Sequence, residues 1–200
     1  MTISDIASVR TGLVAARKKI NASSLRIYEY HLLNLKCIAN EGYIDKNYIE
    51  PYESSEDLKE DYLTQMGDIL VRLSSPYTVV IIDQQDLCGI VVPSHFAIIR
   101  VDRRRVLPEY VFWSLRRDKN KIKMVQNSSG STAFGTISSG VIGSIDITLL
   151  PLREQEIIGK LMVLSEHEQE LIQKLATEKK KYNVLLIDRI YNDMKRGDLR

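Results

Sequence analysis

Up to about residue 150 the apolar positions come in short runs. Asp68–Leu73, Thr78–Ile82, Gly89–Val92 and His95–Val101 are rich in β-branched residues and separated by turn residues such as Ser74, Ser75 and Pro76, so each reads as a strand. Leu32–Ile38 reads as another, partly buried strand, and Ile145–Leu150 as the last, stopped by Pro151. Pro108 stands where a helix begins, because its fixed φ suits a first turn. Tyr110, Val111, Trp113 and Leu115 follow, with Arg116 and Arg117 near the C-terminal end. Segment 126–136 is polar and reads as a loop.

After Pro151 the pattern changes. Arg153 to Arg196 contains no proline and a single glycine, Gly159. As one helix these residues would extend about 66 Å at 1.5 Å per residue. Ile157, Leu161, Leu164, Leu171, Leu175, Tyr182 and Leu185 recur at alternating steps of four and three, with Glu168 and Glu178 at the two remaining seam positions. A heptad seam held this long favours a coiled coil. Nothing upstream offers a helix of matching length, so the partner is expected from a second chain. The two glutamates would weaken a homotypic seam, yet set its register or pair with Lys179–Lys181 or Arg189. The competing reading is a helical hairpin broken near Glu178–Lys181. The whole therefore reads as α+β: residues 1–150 form a mixed domain, and 151–200 a long dimerisation helix.

Composition narrows the classes. Of 200 residues, 44% are hydrophobic and 27% charged, and glycine and proline together number 15, which excludes a disordered chain, a collagen-like fibre and a disulfide scaffold. No run approaches the length of a membrane span, and the N-terminus shows no secretory signal, so a cytoplasmic protein without membrane association is expected. Cys37 and Cys88 are far apart and read as reduced thiols. The net charge of +2 conceals a division. Residues 41–70 hold nine acidic side chains and a net −7, and residues 100–123 hold nine basic ones and a net +6. Such a basic cluster attracts phosphates.

Catalytic signatures are missing. The sequence has no phosphate-binding loop, dinucleotide fingerprint or nucleophile elbow. His31, His95 and His167 lie far apart and off metal-ligand spacing. His95 reads as a capping or core-edge histidine and His167 as a solvated or interface one. Asp68, Asp83 and Asp86 lack the supporting lysine or glutamate of a magnesium nuclease, and Asp68, after Gly67, reads as a turn residue. No metal, no cofactor and no catalysis by this chain alone are expected.

Several local patterns then coincide. Gly67-Asp68-Ile69-Leu70 precedes a strand; Pro93–Arg100 and Leu107–Leu115 form a strand-then-helix passage; Gly130, Ser131, Ile137 and Ser138 precede another strand. Ile6–Gly12 makes an opening strand and glycine, and Leu150-Pro151-Leu152-Arg153-Glu154-Gln155 with Ile158 opens the long helix. Together they resemble the specificity subunits of type I restriction–modification systems, the Leu-Pro-x-x-Glu-Gln element with its heptad helix being the specific part. The resemblance implies a target-recognition domain that reads a short DNA half-site. It also implies an antiparallel coiled coil that spaces two such domains and docks methyltransferase subunits. Full-size members carry two of each part, so one of each suggests a half-size subunit acting as a homodimer or with another half subunit. A two-fold pair would read an interrupted inverted repeat.

Phosphate contacts are expected from Arg103, Arg104, Arg105, Arg116, Arg117, Lys119, Lys121 and Lys123, with Arg17, Lys18 and Lys19 as a second basic group. Gln126, Asn127, Ser128, Ser129, Ser131 and Thr132 are the expected groove-facing polar residues. The acidic stretch 50–61 should face away from DNA. Expected partners are double-stranded DNA, the methyltransferase (M) subunit and, where one exists, the restriction (R) subunit. The alternatives are a coiled-coil adaptor that reads no sequence, and a small DNA-processing enzyme.

Overall fold

The computed structural model describes residues 1–14, 26–39, 42–127 and 135–196. The chain divides into two compact units, Met1–Val163 and Leu164–Arg200.

The first unit is built on a four-stranded antiparallel sheet made of β1 (Ala7–Thr11), β4 (Ile69–Arg72), β5 (Val79–Ile81) and β6 (Phe96–Val101), in the order β1-β6-β4-β5. Ile69 lies opposite Ile81 on one side and Ile99 on the other, and Ala7 lies opposite Val101. Side chains alternate between the faces of a sheet, and both faces here are covered. Ile69, Val71, Ala97 and Ile99 face one core with Val111, Phe112 and Leu115; Leu70, Phe96 and Ile98 face the other with Leu33, Leu87 and Val92. Double coverage explains why β4, β5 and β6 read as continuous apolar runs, whereas β1 keeps Ser8, Arg10 and Thr11 exposed. A separate two-stranded sheet pairs β2 (Tyr28–Leu32) with β3 (Glu50–Ser54).

Four helices follow: α1 (Pro108–Arg116), α2 (Asp118–Gln126), the short α3 (Ser139–Gly143) and α4 (Leu152–Arg196). α1 packs Val111, Phe112 and Leu115 onto the sheet, and α2 adds Met124 to the same core. α4 begins in the first unit, where Gln155 and Gly159 are buried. The Gln155 carboxamide accepts from Leu107 N–H at 2.9 Å and donates to the Leu150 carbonyl at 2.7 Å. Leu107 is the N-cap of α1, so Gln155 satisfies an amide that the helix itself leaves open. A Cβ on Gly159 would lie 2.7 Å from Glu109 Cβ and 3.1 Å from Tyr110 N, so only glycine lets α4 approach the start of α1 this closely.

The Gly67-Asp68-Ile69-Leu70 segment is likewise structural. Gly67 has φ +87°, and a side chain there would also overlap the Arg103 guanidinium. Asp68, itself buried, is both the expected turn residue, its N–H bonded to the Gln65 carbonyl, and the acceptor half of a fork with the half-buried Arg100. Arg100 Nε and Nη2 reach the two carboxylate oxygens at 2.8 and 2.7 Å, which holds the guanidinium further above its ordinary pKa.

Three expected strands are corrected. In Leu32–Ile38 only Leu32 is strand; the Asn34 side chain accepts from Lys36 and Cys37 N–H and turns Leu35–Cys37 into a 3-10 helix. Within Gly89–Val92, Val91 makes only isolated bridges, to Leu32 on one side and Leu63 on the other, while Gly89 adopts φ +80°. Ile145–Leu150 alternates buried and exposed, but its neighbour turns into a 3-10 helix at Ile3–Asp5, leaving a single Thr2–Asp146 bridge. The helix expected from Arg153 runs unbroken through Glu178–Lys181, which excludes the hairpin.

Replacing Gln155 by leucine should therefore lower unfolding free energy by about 2 kcal/mol or more, because a buried amide and a buried carbonyl lose their partner. Gly159→Val should cost about 1–3 kcal/mol by overpacking. Urea midpoints measured by circular dichroism test both.

Candidate nucleic-acid interface

The fold separates the basic residues by the two ends of α1. At its N-terminal side Arg103 Nη2 donates to the Met66 carbonyl at 2.8 Å. Arg104 grips Asp102 through two 3.0 Å bonds, holding that carboxyl below its ordinary pKa, and Arg105 Nη1 reaches the Asp5 carbonyl at 2.5 Å. All three remain exposed.

At the other end, Arg116, Arg117 and Lys119 line a shallow groove of about 450 Å³ with Trp113, Asp118 and Met162. The Arg117 guanidinium lies 5.0 Å from the Trp113 ring centroid, and Arg116 lies 5.4 Å from that of Phe112. Trp113 in turn stands 5.2 Å from Tyr110 in a tilted pair. The corner between α1 and α2 is fixed by Asn120, buried, whose side-chain amide donates to the Ser114 carbonyl at 2.6 Å. The exposed lysines of α2 are thus carried on an anchored element. Lys123 pairs with Asp146 at 3.0 Å, and this bond holds the Asp146 carboxyl below its ordinary pKa. Lys119 and Lys121 are exposed and make no ion pair among the described residues. Gln126 and Asn127 are exposed at the end of α2, where the Asn127 side-chain amide donates to the Lys123 carbonyl.

The structure thus brings Arg116, Arg117 and Lys119 together around one groove and leaves Arg103–Arg105 at the far end of α1. Arg17, Lys18, Lys19, Ser128, Ser129, Ser131 and Thr132 lie outside the described residues. Sequence reasoning missed Trp113 and Met162 as groove-lining residues; the aromatic-then-arginine spacing of four from Trp113 to Arg117 was the available signal. The acidic stretch is partly engaged: Asp61 pairs with Arg10, Asp57 accepts from the Tyr30 hydroxyl, and Glu50 accepts from Asn34.

On α4 the predicted seam is exposed throughout. Ile157, Leu161, Leu164, Leu171, Leu175, Tyr182 and Leu185 are each between 55% and 69% accessible. At about 100° per residue, Ile157 and Leu161 lie roughly opposite the buried Gln155 and Gly159. Glu178 in the seam pairs with Lys181 at 2.6 Å, and Arg189 with Asp193 at 3.9 Å. Off the seam, Val184, Ile187, Tyr191 and Met194 form a second exposed apolar row that the heptad reading left out, although its three-and-four spacing is present in the sequence.

Among the described residues no three His, Cys, Asp or Glu side chains converge on a metal site. Asp68 is spent on Arg100 and Asp86 on Lys46. His95 is exposed just before β6, its carbonyl accepting from Leu73 N–H. No helix of the described residues is long and apolar enough to cross a membrane.

Comparison with solved structures decides the fold. An HsdS subunit from Thermoanaerobacter tengcongensis superposes with a TM-score of 0.59 at 17% identity, over 92% of this chain and 46% of that one. This is the HsdS fold. A chain from a type I restriction–modification system, solved to explain complex assembly and conformational transition, superposes with a TM-score of 0.62, again at 17% identity and over 92% and 46% of the two chains. The chain thus spans about half the length of these HsdS-like structures. No protein-family description matches the sequence, and no curated protein does. The match extends over most of the chain, so the mixed domain and the long C-terminal helix together constitute the shared HsdS architecture.

The groove makes an optical prediction, because Trp113 is the only tryptophan. Iodide should quench its fluorescence about three-fold more effectively than a neutral quencher of similar access, as a local potential near one kT would give. Arg117→Ala should remove most of that difference.

Proposed function

We propose that this chain is a non-catalytic DNA-recognition module of a type I restriction–modification specificity subunit. The observation that carries the reading is the HsdS fold over 92% of the chain. The charge distribution supports the DNA part. Arg117, Lys119 and Lys121 are exposed cations on the rigid α1–α2 corner, suited to phosphates. Arg103–Arg105 would form a second backbone contact about one α1 length, some 13 Å, away. Within that reading residues 1–150 do the recognising and 151–200 the pairing.

The exposed seam supports the pairing part. Seven large apolar side chains at heptad spacing, each more than half exposed, match what a second long helix covers. In this proposal the second helix comes from another copy of the chain or another half subunit, the pair reads a bipartite site, and methyltransferase subunits dock on the assembled coil. The setting would be the cytoplasm, where chromosomal DNA is accessible. An adaptor that reads no sequence would share the seam but lack the preference for particular duplexes.

Two measurements test these parts separately. Arg117→Ala with Lys121→Ala should weaken duplex binding and reduce the slope of log K against log salt by about 2, since each phosphate contact contributes about 0.9. An unchanged slope excludes them from the footprint. Leu171→Glu with Leu175→Glu should convert a dimer to a monomer in light scattering; an unchanged mass rejects the seam.

A further inference from the structure

One side of α2 departs from an ordinary solvated helix. Met124 and Asn120 are buried, whereas Ile122 is 55% and Val125 56% exposed. At about 100° per residue, Ile122 lies about 160° round from Met124, with Gln126 and Lys119 beside it at about 200° and 220°, and Val125 and Lys121 at about 100° and 60°. The outward arc is thus two branched apolar side chains framed by two lysines and a glutamine. Its one carboxylate, Asp118, stands at about 120°, one turn before Ile122, at the helix N-terminus, where negative charge is favoured.

The lysines suit this face to a polyanion, and the apolar pair between them calls for apolar groups set between the phosphates. The major groove of duplex DNA has both, because each thymine projects a C5 methyl into it between the two backbones. An α-helix, about 10–12 Å across with its side chains, also fits a groove about 12 Å wide. We propose that α2 enters the major groove and that Ile122, flanked by Val125, reads a thymine methyl while Lys119 and Lys121 hold the adjoining phosphates. This deepens the DNA reading given above and rests on it. It assigns a sequence-discriminating task to a residue type that carries no hydrogen-bonding group.

The full chain is used to select preferred duplexes from a randomised pool, and affinity for the selected duplex is compared with that for random duplex. Ile122→Ser, at an exposed position where folding is not at stake, should lower this preference about four-fold, the factor carried by one buried methyl group. It should leave the salt slope unchanged. The selected duplex synthesised with deoxyuridine for thymidine should lose the same factor against the unaltered chain. It should lose nothing further against Ile122→Ser. A full preference retained by Ile122→Ser, two losses that multiply, or a selected site without thymine overturns the inference while leaving DNA recognition intact. A wild-type chain that selects no sequence overturns both. Capture of polyglutamate in place of duplex, abolished by Ile122→Ser, overturns both and assigns α2 to an acidic protein.

Discussion

The Gln155 carboxamide is the contact on which the arrangement of the first unit depends. It accepts from the Leu107 amide at the start of α1 and donates to the Leu150 carbonyl just before α4. Its neighbour Gly159 brings α4 against Glu109 and Tyr110, and the Tyr110 hydroxyl donates to the Thr148 carbonyl at 2.6 Å. Two segments distant in sequence, 107–110 and 148–159, thereby share one junction. The direction of α1 follows from it, and with that direction the place of Arg116, Arg117 and the whole of α2. The pieces that carry the family resemblance, Leu-Pro-x-x-Glu-Gln and Gly-Asp-Ile-Leu, both serve such junctions. They report how the scaffold is held.

Scaffold signals explain what was legible in the sequence. Strands β4, β5 and β6 and the long helix were legible because their signals are strong: β-branched runs covered on both faces, and heptads without a proline; β1, half exposed, was legible only through the resemblance. The segments misread as strands failed for local reasons. Asn34 offers its side chain to the backbone and so ends β2 early, and Val91 divides its hydrogen bonds between two neighbours. The small β2–β3 sheet escaped notice because it lies partly in the acidic stretch and carries Pro51, a residue tolerated only at sheet edges. The proposed interface was legible only as a charge count.

The fold sorts that count. Arg100 is half-buried and held by the buried Asp68 as its fixed counter-ion, so little of its charge is left for an outer surface. Arg104 and Lys123 are partly offset by Asp102 and Asp146, so their reach toward a phosphate competes with an existing partner. Exposed ion pairs are weak, of the order of 1 kcal/mol or less, and a polyanion would displace them. Arg117, Lys119 and Lys121 face no such competition among the described ion pairs, which is why the weight of the proposed interface falls on the α1–α2 corner. A net charge of +6 in the sequence window therefore corresponds to a smaller, more localised set of free cations.

The opening turns of α4 show how one helix meets two demands. Gln155 and Gly159 serve the junction on one side, and Ile157 and Leu161 carry the start of the exposed seam on the opposite side. A helix of 3.6 residues per turn keeps such faces apart only while its phase is undisturbed. An inserted or deleted residue between Gln155 and Leu161 would rotate part of one face by about 100° against the other. It would sacrifice either the junction or the register of the seam. Substitutions are less constrained, because an exposed seam position tolerates exchange without cost to the core. The spacing from Gln155 to Leu161 is therefore under a stricter physical constraint than the identity of the seam residues themselves.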